Sequence, residues 1–231
     1  MLDAALKWRE DFNVKEIMHD PEELARLRKE NATGKGYMRG VDKLGRPVMV
    51  LRPAVENTWD YTGNMKHLTY NMERARIMLQ ERTEGKGKLC ILIDFTGYAI
   101  SNAPPMKTSK QTLKILQAYY PETLGRCFLI SPPWLFSKFF SVISPFIDKV
   151  TREKVVFVTD MEDHEDVLNL EEVEAALGGK HPAPFSSELY MNGPLNHCFN
   201  QIHRAASPEG SRAGQCALTG DATAADMPGA L

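Results

Sequence analysis

Three observations on this 231-residue chain predict an α/β fold with a mostly parallel sheet of about four to five strands joined by crossover helices. Short, continuously apolar runs alternate with stretches of helical periodicity. Those runs look like strands covered on both faces. Proline and glycine stand at the boundaries, and a strand–helix–strand order implies right-handed crossovers and a helix-covered sheet.

Residues 1–12 read as the last turns of a helix with Leu2, Ala5, Leu6 and Trp8 inward, and 20–30 (DPEELARLRKE) as one further short helix. Residues 1–35 are therefore expected to be a helical segment that looks cut short. The turn signal VDKLGRP at 41–47 leads into a strand over 48–51, starting after Pro47. Residues 64–82 carry Met65, Leu68, Met72, Ala75 and Leu79 at spacings of three and four, an amphipathic helix ended by Gly85 and Gly87. The run 89–93 is the next strand, closed by Asp94. A helix over 106–120 opens after Pro104 and Pro105 and stops at Pro121. Then come a strand over 127–130, a helix over 134–147, a strand over 155–158 and a last helix over 170–177, capped by Gly178 and Gly179. Residues 205–231, with eight alanines, four glycines and no aromatic residue, hold too little apolar mass to pack. They are expected to be a disordered tail behind a folded body of 36–204.

A chain of this length buries roughly 70% of its unfolded surface and needs no staple. With 28 basic and 30 acidic residues and a net charge of -2, it lacks the basic excess of a nucleic-acid binder. The four cysteines, Cys90, Cys127, Cys198 and Cys216, form no CxxC pair, so neither a disulfide framework nor a zinc site is expected. Charges at Asp3 and Lys7 interrupt any leader, and no window holds ~18 uninterrupted apolar residues. A protein of the reducing cytosol, meeting membranes only from outside, is expected.

The strings that invite catalytic readings fail on their surroundings. Cys198 and Arg204 have the Cys-x5-Arg spacing of thiolate phosphatases, yet the intervening residues include no glycine and no strand precedes them. His197, Cys198 and His203 have no carboxylate beside them to complete a metal site. GKGYMRG at 34–40 has the wrong last interval for a dinucleotide loop, and neither GxxxxGK[ST] nor GxSxG occurs. The acidic run from Asp160 to Asp166 reads as a solvated loop. No enzyme activity and no cofactor are expected.

The informative segment is 132–147, PPWLFSKFFSVISPFI. Trp134, Leu135, Phe136, Phe139, Phe140, Val142, Ile143, Phe146 and Ile147 cover most of a helix circumference, leaving a narrow strip of Ser137, Ser141 and Ser144. A crossover helix has protein on one side only, so its other side needs a partner, a membrane or a lipid. The topology also brings Glu122, Thr151 and Lys154 to one end of the sheet. A hydroxyl and an ammonium together suit a phosphate, while an ordinary surface ion pair accounts for the same spacing.

These residues resemble the CRAL-TRIO family of lipid-binding and lipid-transfer proteins, in particular its phosphatidylinositol transfer branch. The resemblance covers about 36–200 and rests on LIDFTGYAIS, on YYPETLGRCFLISPPWLFSKFFSVISPFIDKVTREK and on the later LGG. It implies that the inositol phosphate headgroup is held by Arg9 of LKWRED, Glu122 of YYPE, and Thr151 and Lys154 of TREK. It also implies a mobile gate helix over 133–147, with Trp134, Phe136, Phe139, Phe140, Ile143 and Phe146 facing acyl chains or bilayer. At ~0.8 kcal/mol per methylene, exposing two acyl chains to water costs on the order of 20 kcal/mol, which a dry pocket with a lid avoids. Leu89 and Ile91 stand where choline-lipid binders of the family carry hydroxyls, so the second ligand is expected to be another hydrophobic lipid.

The expectation is thus a monomeric, cytoplasmic, non-enzymatic protein that binds and transfers phosphatidylinositol, with transient contact to internal membranes and no nucleic-acid partner. The alternative is a lipid-sensing adaptor that binds lipid without moving it.

Overall fold

The computed structural model describes residues 2–83, 85, 87–99, 105–134 and 136–207, apart from the side chains of Leu2, Ser137, Phe139 and Ile143. Helix α1 (Leu2–Asp11) passes into a short α2 (Val14–His19) through Asn13, whose φ of 54° reverses the chain. Six residues are too few to show a periodicity, which is why the sequence reading has no helix there. Helix α3 (Pro21–Asn31) starts where Asp20 accepts hydrogen bonds from the amides of Glu22 (3.0 Å) and Glu23 (2.9 Å), with Pro21 at the first helical position. On α1, Ala5 is buried and Trp8 half-buried as expected, but Leu6 is 52% exposed.

Five strands lie side by side in chain order: β1 (Gly36–Val41), β2 (Pro47–Leu51), β3 (Leu89–Asp94), β4 (Leu124–Ile130) and β5 (Val155–Val158). The pairs β2–β3, β3–β4 and β4–β5 are parallel and β1–β2 is antiparallel. The mostly parallel α/β fold stands, with β1 as an addition. Its glycines and Arg39 hide it in the sequence, because they break the apolar run. The glycines serve close packing: a Cβ at Gly40 would stand 2.6 Å from a Glu172 carboxylate oxygen, and one at Gly36 would stand 3.2 Å from the His67 ring. The string GKGYMRG is therefore sheet.

Helix α4 (Tyr61–Thr83) matches the predicted stripe, with Met65, Leu68, Met72, Ala75 and Leu79 all buried. Helix α5 (Met106–Lys114) winds its last turn, Ile115–Tyr119, as a π-turn. The helix expected over 134–147 is shorter: α6 (Phe136–Ile143) gives way to a tight 3-10 turn over Ser144–Phe146, because Pro145 has no N–H to continue the ladder. Helix α7 (Lys149–Glu153) follows, begun by Asp148, which accepts from the Thr151 amide at 2.8 Å.

The helix expected over 170–177 is replaced by two 3-10 turns, Leu170–Glu172 and Ala175–Leu177. Between them Val173 is extended, and its carbonyl accepts from the His181 amide at 2.9 Å while Ala175 donates to the His181 carbonyl at 3.0 Å. A returning strand-like segment thus outcompetes a helix nucleus too short to sustain itself. The glycine cap stands, with Gly178 at φ 84°. Helices α8 (Ser187–Asn192) and α9 (Phe199–Ala206) close the body, so α9 takes the first two residues of the expected tail. Its remainder from 208 lies outside the described residues.

Register sorts the sheet into two faces. Ile91, Cys127 and Val155 are aligned on one face, together with Ile93 and Leu129; Leu92, Phe128 and Val156 are aligned on the other. On the second face Phe128 meets the His164 ring at 5.3 Å. The first face looks into a cavity.

Candidate functional site: an apolar cavity with a polar mouth

The cavity, about 240 Å3, is walled by Ile91, Ile93, Cys127 and Leu129 of the sheet, Leu113 and Leu116 of α5, and Phe136 and Phe140 of α6. A second cavity of about 280 Å3, reaching Met65, Leu68, Phe95 and Tyr98, shares Leu51, Ile93, Thr112, Leu113 and Phe136 with the first. Leu113 and Phe136 are thus a partition between two apolar chambers.

Glu122, Thr151 and Lys154 all line the first cavity, together with Asp148. They gather because β4 and β5 start at the same end: the Lys154 carbonyl accepts from the Cys127 amide at 2.9 Å, and Lys154 Nζ donates to the Leu124 carbonyl at 2.9 Å. Among the described residues no hydrogen bond or ion pair joins the three. The Glu122 side chain is 91% exposed and lies 3.9 Å from Lys88, whose ammonium also donates to the Glu122 carbonyl. Glu122 has φ 57° and Ser131 φ 48°, so non-glycine residues in the left-handed region bracket β4 at both ends. Such backbone costs of order 1–2 kcal/mol per residue and gathers at ligand clamps. Hydrogen bonds from the Thr151 side chain and amide hold the Asp148 carboxyl below its usual value.

Arg9 does not line this cavity. Its guanidinium makes a two-pronged pair with Glu73 of α4 at 2.6 and 2.7 Å, and Glu73 also accepts from the Tyr120 hydroxyl at 2.7 Å and from Arg76 at 3.0 Å. Burial alone would raise the Glu73 carboxyl, but the bonds from Arg9 and Tyr120 and the charges of Arg9 and Arg76 hold it low. Trp8 stacks on Tyr119 at 4.2 Å, so α1 is fastened to the π-turn that forms the cavity wall. Arg9 and Glu122 do border one adjoining cleft, with Arg76 and Lys88 beside them. Asp148 and Glu73 escaped the sequence reading. The first has a signal, an acid three residues before Thr151 at a helix start; the second is a single acid in a long helix and has none.

The α6 segment shows both of its apolar sides. Phe136 is 7% exposed and packs on Phe95 at 4.6 Å and Phe140 at 6.1 Å, whereas Trp134 is 79%, Val142 55% and Phe146 51% exposed. The expected roles of Phe139 and Ile143 concern side chains outside the described residues. Among the described residues no helix is long and apolar enough to cross a membrane.

Cys198 is buried, 3.2 Å from Gln201 Oε1, and burial raises its thiol above the usual value. A phosphatase nucleophile needs the opposite shift. Nor does a strand lead into Cys198, which stands at the start of α9 behind the loop that follows α8.

The chain is 35% identical over 193 residues to a CRAL-TRIO domain-containing protein of Schizosaccharomyces pombe, covering 84% of this chain and 18% of that protein. It is 28% identical over 196 residues to the phosphatidylinositol transfer protein PDR17 of Saccharomyces cerevisiae, covering 82% and 54%. A third relative, the phosphatidylinositol transfer protein CSR1 of Eremothecium gossypii, is 29% identical over 167 residues, covering 71% and 37%. The chain therefore spans between about a fifth and about half of the length of these relatives. The crystal structure of Sfh5 superposes with a TM-score of 0.52 at 20% identity, covering 80% of this chain and 70% of that one, which shows the fold. The CRAL/TRIO domain matches residues 31–179, from the end of α3 to the glycine cap, and the chain belongs to the CRAL/TRIO domain family.

Proposed function

We propose that the chain binds phosphatidylinositol and carries it between membranes without chemical change. The observation that carries this reading is the apolar double chamber whose mouth holds Glu122, Thr151 and Lys154. Acyl chains would lie in the two chambers, divided by Leu113 and Phe136. Lys154 and Thr151 would meet the phosphate once Thr151 releases Asp148, and Glu122 would set the inositol ring. Arg9 would act from the adjoining cleft. Two named relatives are phosphatidylinositol transfer proteins, which supports the ligand and the non-catalytic role. Leu89 and Ile91 both line the chamber and offer no hydroxyl, so the second cargo is another hydrophobic lipid rather than a choline lipid.

The α6 segment would be the gate and the membrane contact. Its exposed Trp134 and Phe146 each carry a lysine over the ring, Lys138 at 5.9 Å and Lys110 at 4.8 Å. Residues 106–154 hold eight lysines and arginines against three acids, a net charge of +5 that leaves -7 for the rest of the chain. An apolar patch rimmed by lysine suits a peripheral visit to an anionic cytoplasmic leaflet by a monomer. Lipid analysis of the purified protein, followed by vesicle-to-vesicle transfer assays, tests the reading. Inositol lipid is expected in the purified protein, with transfer lost in the Thr151→Ala, Lys154→Ala double variant; recovery of no inositol lipid, or unchanged transfer, overturns it.

A further inference from the structure

Gln117 sits on the π-turn Ile115–Tyr119 and lines the first cavity, among Leu113, Leu116 and Tyr120. Its amide nitrogen is buried and has no hydrogen-bond partner among the described residues. Three other side chains, those of Arg39, Arg74 and Asn200, also hold buried atoms with no such partner among the described residues, but none of them lines either chamber. An amide donor facing an apolar cavity is costly to leave unmade and stays in place at little cost only when a ligand supplies the acceptor. π-Turns within helices are frequent at functional sites.

We propose that the Gln117 amide donates a hydrogen bond to an ester carbonyl of the bound glycerolipid. This rests on the lipid-binding reading above and adds the recognition of the glycerol ester region, one step inward from the phosphate. The carbonyl is the acceptor that a diacyl lipid carries at the junction of headgroup and chains. An ether-linked chain has none. Gln117 thus selects for ester lipids, while Glu122, Thr151 and Lys154 select for the headgroup.

The test compares diacyl phosphatidylinositol with its dialkyl ether analogue, binding to the full chain and to Gln117→Leu. The full chain should prefer the ester by about tenfold, the size of one buried hydrogen bond, and Gln117→Leu should bind both equally. The ester carbonyl infrared band of the bound lipid should shift to lower frequency in the full chain and not in the variant. Replacing an unpaired buried amide by leucine should leave the thermal midpoint of the ligand-free protein unchanged or raised, so loss of fold is separable. Equal binding of both lipids by the full chain, or an ester preference that survives in Gln117→Leu, overturns the inference and leaves the phosphatidylinositol reading standing. Binding of neither lipid overturns both.

Discussion

Replacing Glu73 by alanine should detach α1 from the body of the domain. The Glu73 side chain is 2% exposed and accepts four hydrogen bonds: two from Arg9, one from the Tyr120 hydroxyl and one from Arg76. The Arg76 side chain is 53% exposed, so its share is negligible after screening. Breaking a buried ion pair costs about 3–5 kcal/mol, and the 27% exposure of Arg9 places this one at the lower end. Tyr120, itself buried, loses its acceptor as well, for about 1 kcal/mol more. The expected destabilisation is about 4 kcal/mol for Glu73→Ala. Glu73→Gln keeps one acceptor oxygen but loses the charge and turns an NH2 donor toward the remaining N–H groups, at about 2 kcal/mol. Because the carboxyl is held low in the folded state, its contribution is present above the unfolded value of about 4.3 and disappears as pH falls through the folded value. Urea unfolding gives the magnitude, and hydrogen exchange of 2–11 gives the place. A loss under about 1 kcal/mol in the alanine variant, with α1 still protected, would refute the reasoning.

Other outcomes follow from the same structure. His67 is buried, accepts at Nε2 from the amides of Asn31 (3.0 Å) and Asn71 (3.3 Å), and is pushed down to about 3 by burial and by Lys35. A depressed folded value means stability present above the unfolded 6.5 and lost as pH falls, about 3 kcal/mol between pH 7 and 4; His67→Gln should remove that slope in urea unfolding, and an unchanged slope counts against it. Gly179→Ala should cost about 3 kcal/mol by thermal unfolding, because its Cβ would overlap the Val173 carbonyl, a backbone atom that cannot move aside. Lys110→Gln together with Lys138→Gln should lower co-sedimentation with anionic vesicles about 25-fold and leave neutral vesicles unaffected, at about 1 kcal/mol per lysine; equal loss on both would show that charge is not the cause.

The chamber floor was legible in the sequence wherever residues interact through local pattern. Leu89 to Ile93 and Val155 to Val158 read as strands because a buried parallel strand has no polar face, and Met65 to Leu79 read as a helix because one stripe packs. The polar mouth was legible as a topological consequence, since consecutive parallel strands start at one end. What escaped detection depends on partners distant in the chain. β1 is polar and glycine-rich because Glu172 and His67 press against it from elsewhere. Val173 is extended because His181 pairs with it.

The sequence alone therefore determined the four parallel strands β2 to β5, the crossover helices and the gathering of Glu122, Thr151 and Lys154 at one end of the sheet. Its net charge of -2 concealed the segregation that matters, +5 over residues 106–154. Only the tertiary structure decided that Arg9 is held by Glu73 away from the chamber, that Glu122 pairs with Lys88, and that Gln117 presents to an apolar cavity an amide nitrogen with no partner among the described residues. The reason is range: apolar periodicity is written into neighbouring residues, whereas the partner of a charged or amide group is chosen by whichever segment the fold delivers beside it.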